Sequence, residues 1–471
     1  MVAKLARKEP MHSTSTWLAL RNPTFVRIWM ATVLSATFLS AQDVIATWLL
    51  HDLGASFSLS LMATATSTPL LLFALPAGII ADTVNRRNVI LSAMVWQVVF
   101  TVLMAFGAWT KILSINSVLL CVFALGIGLA FSAPVWSAII PSIVSKEELP
   151  SAVTLGGMQV NIAGIVGPAL GGFVLPMLGA PLLISINALI FVTVCLIILR
   201  WRPDRATAKQ TDQGFMESFA ESVRYAFRSY QIRIILFRNL LFSLAVAAIP
   251  ALLPVIVYTE LKGSAAQLGL AFTCVATGSL IGAVFVLPFL RARMSPNGIT
   301  LVAMATMPIV LTAMACVRTS SSVLVCSAAA GVAWTLAGAE LWLAGQRAVS
   351  ARIRGRMNSF LIMTGQAGIA LGSILLGTAA MHVGLGWTMG LAAVVALLGF
   401  GLGYCFSINF QRERALEQTP SATEEPEAIG YYIHSLCRNV GYSRCGTNDS
   451  EPRETRRDKD RFEKPSNPAD G

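Results

Sequence analysis

About a dozen runs of roughly 20 or more apolar residues follow one another along this chain, each long enough to cross a bilayer as a helix. Backbone inside hydrocarbon must satisfy its own N–H and C=O groups, so a spanning segment is a helix or part of a closed barrel. Runs this long, without strict alternation, read as helices. They lie at 25–50, 58–81, 88–109, 114–141, 150–178, 180–200, 233–258, 265–290, 298–317, 321–346, 357–381 and 384–408. Only 13% of the 471 residues are charged, against about a quarter in soluble domains. The expected fold class is therefore an all-α membrane protein of twelve transmembrane helices. The net charge of +11 is not read as a nucleic-acid footprint, because its distribution serves orientation instead.

Loops on one side carry Arg86, Arg87, Lys146, Arg200, Arg202, Arg205, Lys209, Arg224, Arg228, Arg233, Arg291, Arg293, Arg352, Arg354 and Arg356. Loops on the other carry little beyond Lys111, Lys262 and Arg318. The positive-inside rule then places both termini in the cytoplasm, as an even number of spans requires. The expected layout is a cytoplasmic segment 1–24, a six-helix half 25–200, a linker 201–232, a second half 233–408 and a tail 409–471. No removable signal peptide is expected ahead of the first span. Phe215, Phe219, Val223 and Phe227 give the linker an amphipathic helical spacing suited to the membrane face. The tail has too little apolar material to offset its ordering entropy and is expected to be mostly disordered. The eight cysteines are scattered, without metal-ligand spacing, and read as small core residues.

Weak internal similarity supports two halves. PSIVSKEELPSAV from Pro141 lies opposite QRAVSARIRGRMN from Gln346, and GPALGG from Gly167 opposite GSILLG from Gly372, in one ungapped register that also pairs Arg86 with Arg291. Arg21-Asn22 and Arg238-Asn239 are read as similar openings of the two halves. Duplicated halves are a transporter layout, with the site expected near the midplane between them.

Between the second and third runs lies GIIADTVNRR, Gly78 to Arg87, whose charges need water, headgroups or each other. Gly78 permits close helix approach. Asp82 is expected to face a helix N-terminus or an arginine, and Arg86 and Arg87 to mark the cytoplasmic side. In the fifth run, NIAGIVGPALGGF gives one helix a bare face at Gly164, Gly167, Gly171 and Gly172, with a bend at Pro168. Such a helix can rock against its neighbours. RIRGRMNSF places Arg354, Gly355 and Arg356 in a loop suited to a cytoplasmic gate, pairing with Glu147 or Glu148.

These stretches resemble known motifs. GIIADTVNRR is similar to the signature loop of the major facilitator superfamily, with Thr83 and Asn85 replacing a basic residue and a glycine. NIAGIVGPALGG is similar to the fifth-helix motif of its exporters, with Ala163 in place of the first glycine. With RNPTFVRIW, AQDVIATWLL, LPAGIIAD, APVWSAIIP and GQRAVSARIRGR, the chain over residues 17–408 resembles the enterobactin-exporter-like branch, also called transmembrane secretion effectors. That resemblance implies a proton-driven exporter of a small molecule in a bacterial inner membrane.

Acids inside a bilayer are expensive and mark substrate or proton pathways. Asp43, with Gln42 beside it, and Glu340 are the two such acids and the candidate substrate and proton residues; Arg347 on its own helix face is the competing partner for Glu340. The arginine common in the fourth span of drug/proton antiporters is Val122 here, ahead of Gly126 and Gly128, so the resemblance leaves the coupling mechanism open. Trp29, Trp48, Trp96, Trp136, Trp334, Trp342, Met62, Met158 and Met363 are either pocket-lining or packing residues. His12, His51, His382 and His434 do not cluster, and no hydrolase or nucleotide-binding motif is present. The reading is a non-enzymatic, cofactor-free transporter, expected as a monomer, with a small-molecule substrate, protons and membrane lipids as partners. An importer or uniporter, or a receptor on the same fold, are the alternatives.

Overall fold

The computed structural model describes residues 17–54, 56–145, 147–201, 229–316, 319–349 and 354–406. Twelve helices within these are long and apolar enough to cross a membrane, so the chain is a multi-pass membrane protein. They are α1 (Pro23–Asp52), α2 (Ser56–Thr83), α3 (Arg86–Trp109), α4 (Ile115–Ile143), α5 (Leu149–Leu178), α6 (Ala180–Arg200), α7 (Tyr230–Glu260), α8 (Ala265–Arg291), α9 (Pro296–Ala315), α10 (Ser320–Arg347), α11 (Arg354–Val383) and α12 (Leu385–Cys405). Antiparallel succession puts Pro23 and Cys405 at one end of the bundle, called here the chain-end face; the opposite end is the far face. The linker and tail readings lie outside the described residues, as do the side chains of Asp82, Arg354, Gly355 and Arg356.

Helix starts follow local chemistry. Asn22 caps α1 through the N–H groups of Thr24 and Phe25, ahead of Pro23. Ser114 and Ser264 form capping boxes with Ser117 and Gln267, and Ser295 and Thr319 cap α9 and α10. Asn85, standing where the family loop has a glycine, accepts from the Arg87 N–H at 3.0 Å and so starts α3.

The internal register holds in the packing. A side chain at Gly167 would meet Ser40 Cβ and the Thr37 carbonyl at 2.6 Å, so α5 lies directly on α1. At the matching Gly372, it would meet the Leu244 carbonyl and Ala247 Cβ at 2.6 Å, so α11 lies directly on α7. Gly179 and Gly384 fall in the same register. Each turns the chain at the far face between the fifth and sixth helices of its half, with φ of 73° and 83°. Left-handed backbone of this kind favours glycine because it lacks a Cβ.

The two Arg-Asn openings, which lie outside that register, are not equivalent. Asn22 is a helix cap whose amide donates to the Ile143 carbonyl. Asn239 lies well inside α7 and donates to Leu361 O and Thr364 Oγ1 of α11. Arg238 beside it is 1% exposed, donating to Asn297 Oδ1 at the head of α9. A shared dipeptide thus occupies two different depths.

Two spans are not simple helices. In α7 the α-helix is interrupted at Ala247, three residues before Pro250, and ends in a π-helical turn, Ile256–Glu260. In α8 a π-helical turn, Gly282–Val286, precedes Pro288. Proline removes the i→i−4 donor, and π segments bend helices without breaking them.

Candidate functional site

The halves meet along two seams, α2 with α11 and α5 with α8. On the first, Thr64 Oγ1 donates to the Ala370 carbonyl at 3.2 Å, and a side chain at Gly78 would sit 3.3 Å from Ser359 Oγ. On the second, Thr273 Oγ1 donates to the Ile165 carbonyl at 3.0 Å. A side chain at Gly172 would meet the Ala265 carbonyl at 2.6 Å and Gly269 Cα at 3.0 Å. The bare residues of α5 therefore serve two surfaces: Gly167 and Gly171 receive α1, while Gly164 and Gly172 receive α8. Near the far face His51 of α1 stacks on Tyr258 of α7, ring centroids 4.3 Å apart and planes 4° from parallel. This stack bridges the halves beside the end of the α5–α8 seam.

Below it lies a cavity of about 420 Å³ walled by both halves. The first half contributes Ser40, Asp43 and Thr47 of α1, Met62 and Thr66 of α2, and Asn161, Gly164 and Pro168 of α5. The second contributes Pro250 of α7, Phe272, Ala276 and Ser279 of α8, and Trp334 and Thr335 of α10. Asp43 is exposed to this space and is the sole ionisable residue of the lining. Its carboxylate has no hydrogen bond or ion pair among the described residues. The wall continues along α5 from Asn161 and Val160 towards the chain-end face, where a side chain at Gly157 would meet nothing within 4 Å.

The remaining expected residues fall elsewhere. Gln42, although next to Asp43, is 1% exposed and points into its own half, bonded to Asn187 of α6 and to Met104 Sδ of α3. Glu340 is 2% exposed and does not line the cavity. Its partner is Arg291 of α8, Nε to Oε1 at 2.7 Å, and not Arg347. Arg86 and Arg87 spend their guanidiniums on backbone carbonyls. Arg86 donates to the Ala138 carbonyl inside α4, and Arg87 to the Ile198 and Leu199 carbonyls in the last turn of α6. A cation suits that helix C-terminus. Val122 is buried against the core and offers no charge to the cavity. Among the named aromatic and methionine residues, Met62 and Trp334 reach the cavity; Trp29 and Trp96 instead donate across helices to the carbonyls of Leu155 and Ala124. Phe272, Thr66 and Thr335 carried no sequence signal of their own.

A family model described as "Transmembrane secretion effector", a branch of the major facilitator superfamily, matches residues 14–431. The chain belongs to this family. The enterobactin exporter EntS of Salmonella choleraesuis is 24% identical over 413 residues, covering 86% of this chain and 96% of that protein. Macrolide efflux protein A of Streptococcus pyogenes is 22% identical over 261 residues, 55% of this chain and 64% of the relative, so the chain spans less than two thirds of that protein's length. The crystal structure of the nucleoside transporter NupG superposes with a TM-score of 0.66 at 12% identity, covering 81% of this chain and 99% of that one, which shows the shared fold. These family and structural relatives are transporters and not enzymes.

Proposed function

We propose that this protein is a proton-coupled secondary transporter that exports a small amphiphilic molecule across a bacterial inner membrane by alternating access. The observation that carries the proposal is the unpaired Asp43 carboxylate in a cavity walled by both halves. Proton and substrate compete for that group, and each displaces the other as the halves rock. The cavity size falls within the roughly 300–1,000 Å³ of small-molecule sites. Far-face closure by the His51–Tyr258 stack and the Gly172–Gly269 crossing favours a state open on the chain-end side along α5, while α2 and α11 stay in contact there at Gly78 and Ser359. The clustering of Arg86, Arg87, Arg291 and Arg293 on that side supports a cytoplasmic assignment for it and for both termini. The relatives named for enterobactin and macrolide movement favour the export direction. Asp82, Arg354, Gly355 and Arg356 are assigned to the gate on that face. Glu340 and Gln42 receive scaffold roles, since each is held inside one half.

The test is uptake into inside-out proteoliposomes holding the full chain, with a pH gradient imposed across the membrane. Gradient-dependent uptake of a labelled macrolide or siderophore, lost in Asp43→Asn, is the expected result. Movement that ignores the gradient would leave an uncoupled carrier, and equal activity in Asp43→Asn would remove Asp43 from the site.

A further inference from the structure

Three hydroxyls of the cavity wall have already committed their hydrogens, and Asn161 one of its two. Thr47 Oγ1 donates to the Asp43 carbonyl at 2.6 Å. Thr66 Oγ1 donates to the carbonyls of Met62 and Ala63 at 3.2 and 3.1 Å. Ser279 Oγ donates to the Gly331 carbonyl at 3.1 Å. Asn161 Nδ2 donates to the Gly157 carbonyl at 3.2 Å. A hydroxyl has one hydrogen and two lone pairs. Having given that hydrogen to its own or a neighbouring helix, each of these three hydroxyls can offer a ligand only an acceptor, while the Ser40 and Thr335 hydroxyls, the Trp334 indole N–H and the second Asn161 amide hydrogen stay available as donors.

Proline adds another acceptor. Pro168 has no N–H, so the Gly164 carbonyl loses its helical donor, and both residues lie in the wall. Within this polar surface sits one formal charge, the Asp43 carboxylate, with no arginine, lysine or histidine in the lining to balance it. Met62, Phe272 and Trp334 supply apolar and aromatic faces. An aromatic face attracts a cation and repels an anion through its quadrupole.

Such a wall discriminates by charge. A cation meets a carboxylate, lone pairs and ring faces. An anion meets the carboxylate and the ring faces as repulsion, and finds only neutral hydroxyl, indole and amide donors, with no cation in the lining, to offset it. We infer that the cavity selects amphiphilic cations, that is, protonated amines or onium ions carrying an apolar body, and rejects anionic ligands such as polycarboxylates and catecholates. This rests on the assignment of the cavity as the transport site, and it separates the two chemistries found among the relatives' names.

The test uses two probes of nearly equal size and opposite charge, tetraphenylphosphonium and tetraphenylborate. Equilibrium binding of each to the full-length protein in lipid nanodiscs is measured against empty nanodiscs. Saturable binding is expected for the phosphonium only. In Asp43→Asn that affinity falls roughly tenfold or more, since a desolvated charge partner is lost, while Asp43→Glu keeps it within a few-fold. The comparison of the two probes needs no variant, so it stands even if a substitution disturbs folding. Saturable binding of the borate at similar affinity, phosphonium binding unchanged in Asp43→Asn, or no saturable binding of either probe overturns the inference. Gradient-driven transport that depends on Asp43 without phosphonium binding would retain the transport assignment and discard the cation class. Phosphonium binding through Asp43 without any gradient-driven movement would do the reverse.

Discussion

Gly172 and Gly167 lie on one helix and are equally crowded, yet adding a methyl group to each should have different consequences. At Gly172 a Cβ would stand 2.6 Å from the Ala265 carbonyl and 3.0 Å from Gly269 Cα, both backbone atoms of α8 in the other half. Ordinary contact begins at 3.4 Å, so no rotamer can relieve the clash and the seam must open by several tenths of an ångström. Overpacking of this kind costs about 1–3 kcal/mol. Because α5 and α8 belong to different halves, that cost falls on the state closed at the far face and not on the fold of either half. An energy of that size changes a two-state population by roughly 5- to 150-fold. At Gly167 the clash, also 2.6 Å, is with Thr37 and Ser40 of α1 in the same half. There the same cost lowers stability in both states. The assay is labelling of Thr66→Cys, inside the cavity, by a membrane-impermeant maleimide added outside intact cells, with the parent cysteines as background. Gly172→Ala should speed labelling several-fold with little change in thermal midpoint. Gly167→Ala should lower the midpoint and leave labelling alone. Equal labelling in Gly172→Ala and its parent, or equal acceleration in both variants, would refute the assignment of the α5–α8 seam to far-face closure.

Arg291→Ala should destabilise the detergent-solubilised protein by about 1–3 kcal/mol, because it strands the buried Glu340 carboxylate; adding Glu340→Gln should recover part of that in thermal unfolding, and a double variant no better than the single would count against the pair. A His51→Cys, Tyr258→Cys protein should lose transport on oxidative or short bifunctional cross-linking and regain it on reduction, since the stack has to part when the far face opens. Asn85→Ala should cost about 1 kcal/mol through loss of the α3 cap, read as a lower unfolding midpoint with substrate affinity unchanged. Gly179→Ala and Gly384→Ala should each cost about 1–2 kcal/mol by similar amounts, because the two left-handed turns occupy equivalent places.

Twelve spans were legible because hydrocarbon imposes its length requirement directly on composition. The glycines of α5 were legible as a bare face because an absent side chain has few other uses within a span. The position of Asp43 in a central cavity was accessible for a similar reason, since a charge inside a span needs a place to be. What escaped is what depends on neighbours distant in sequence. Spacing along α10 offered Arg347 as the partner of Glu340, whereas the bond is made by Arg291 on another helix. Gln42 follows Asp43 by one position in the reverse direction, and that single step of about 100° around the helix carries it out of the cavity and into contact with Asn187. The acceptor role of Thr47, Thr66 and Ser279 was hidden because each looks like a donor until the carbonyl that takes its hydrogen is located.

The π-helical turns described for α7 and α8 both belong to the second half, and the described spans of the first half contain none. Twin in plan, the halves differ in compliance. Under the proposed alternating access the second half yields where its winding is already loose, close to Tyr258 at one end and just past Ser279 at the other. The first half flexes instead at interior prolines such as Pro69, Pro134 and Pro168.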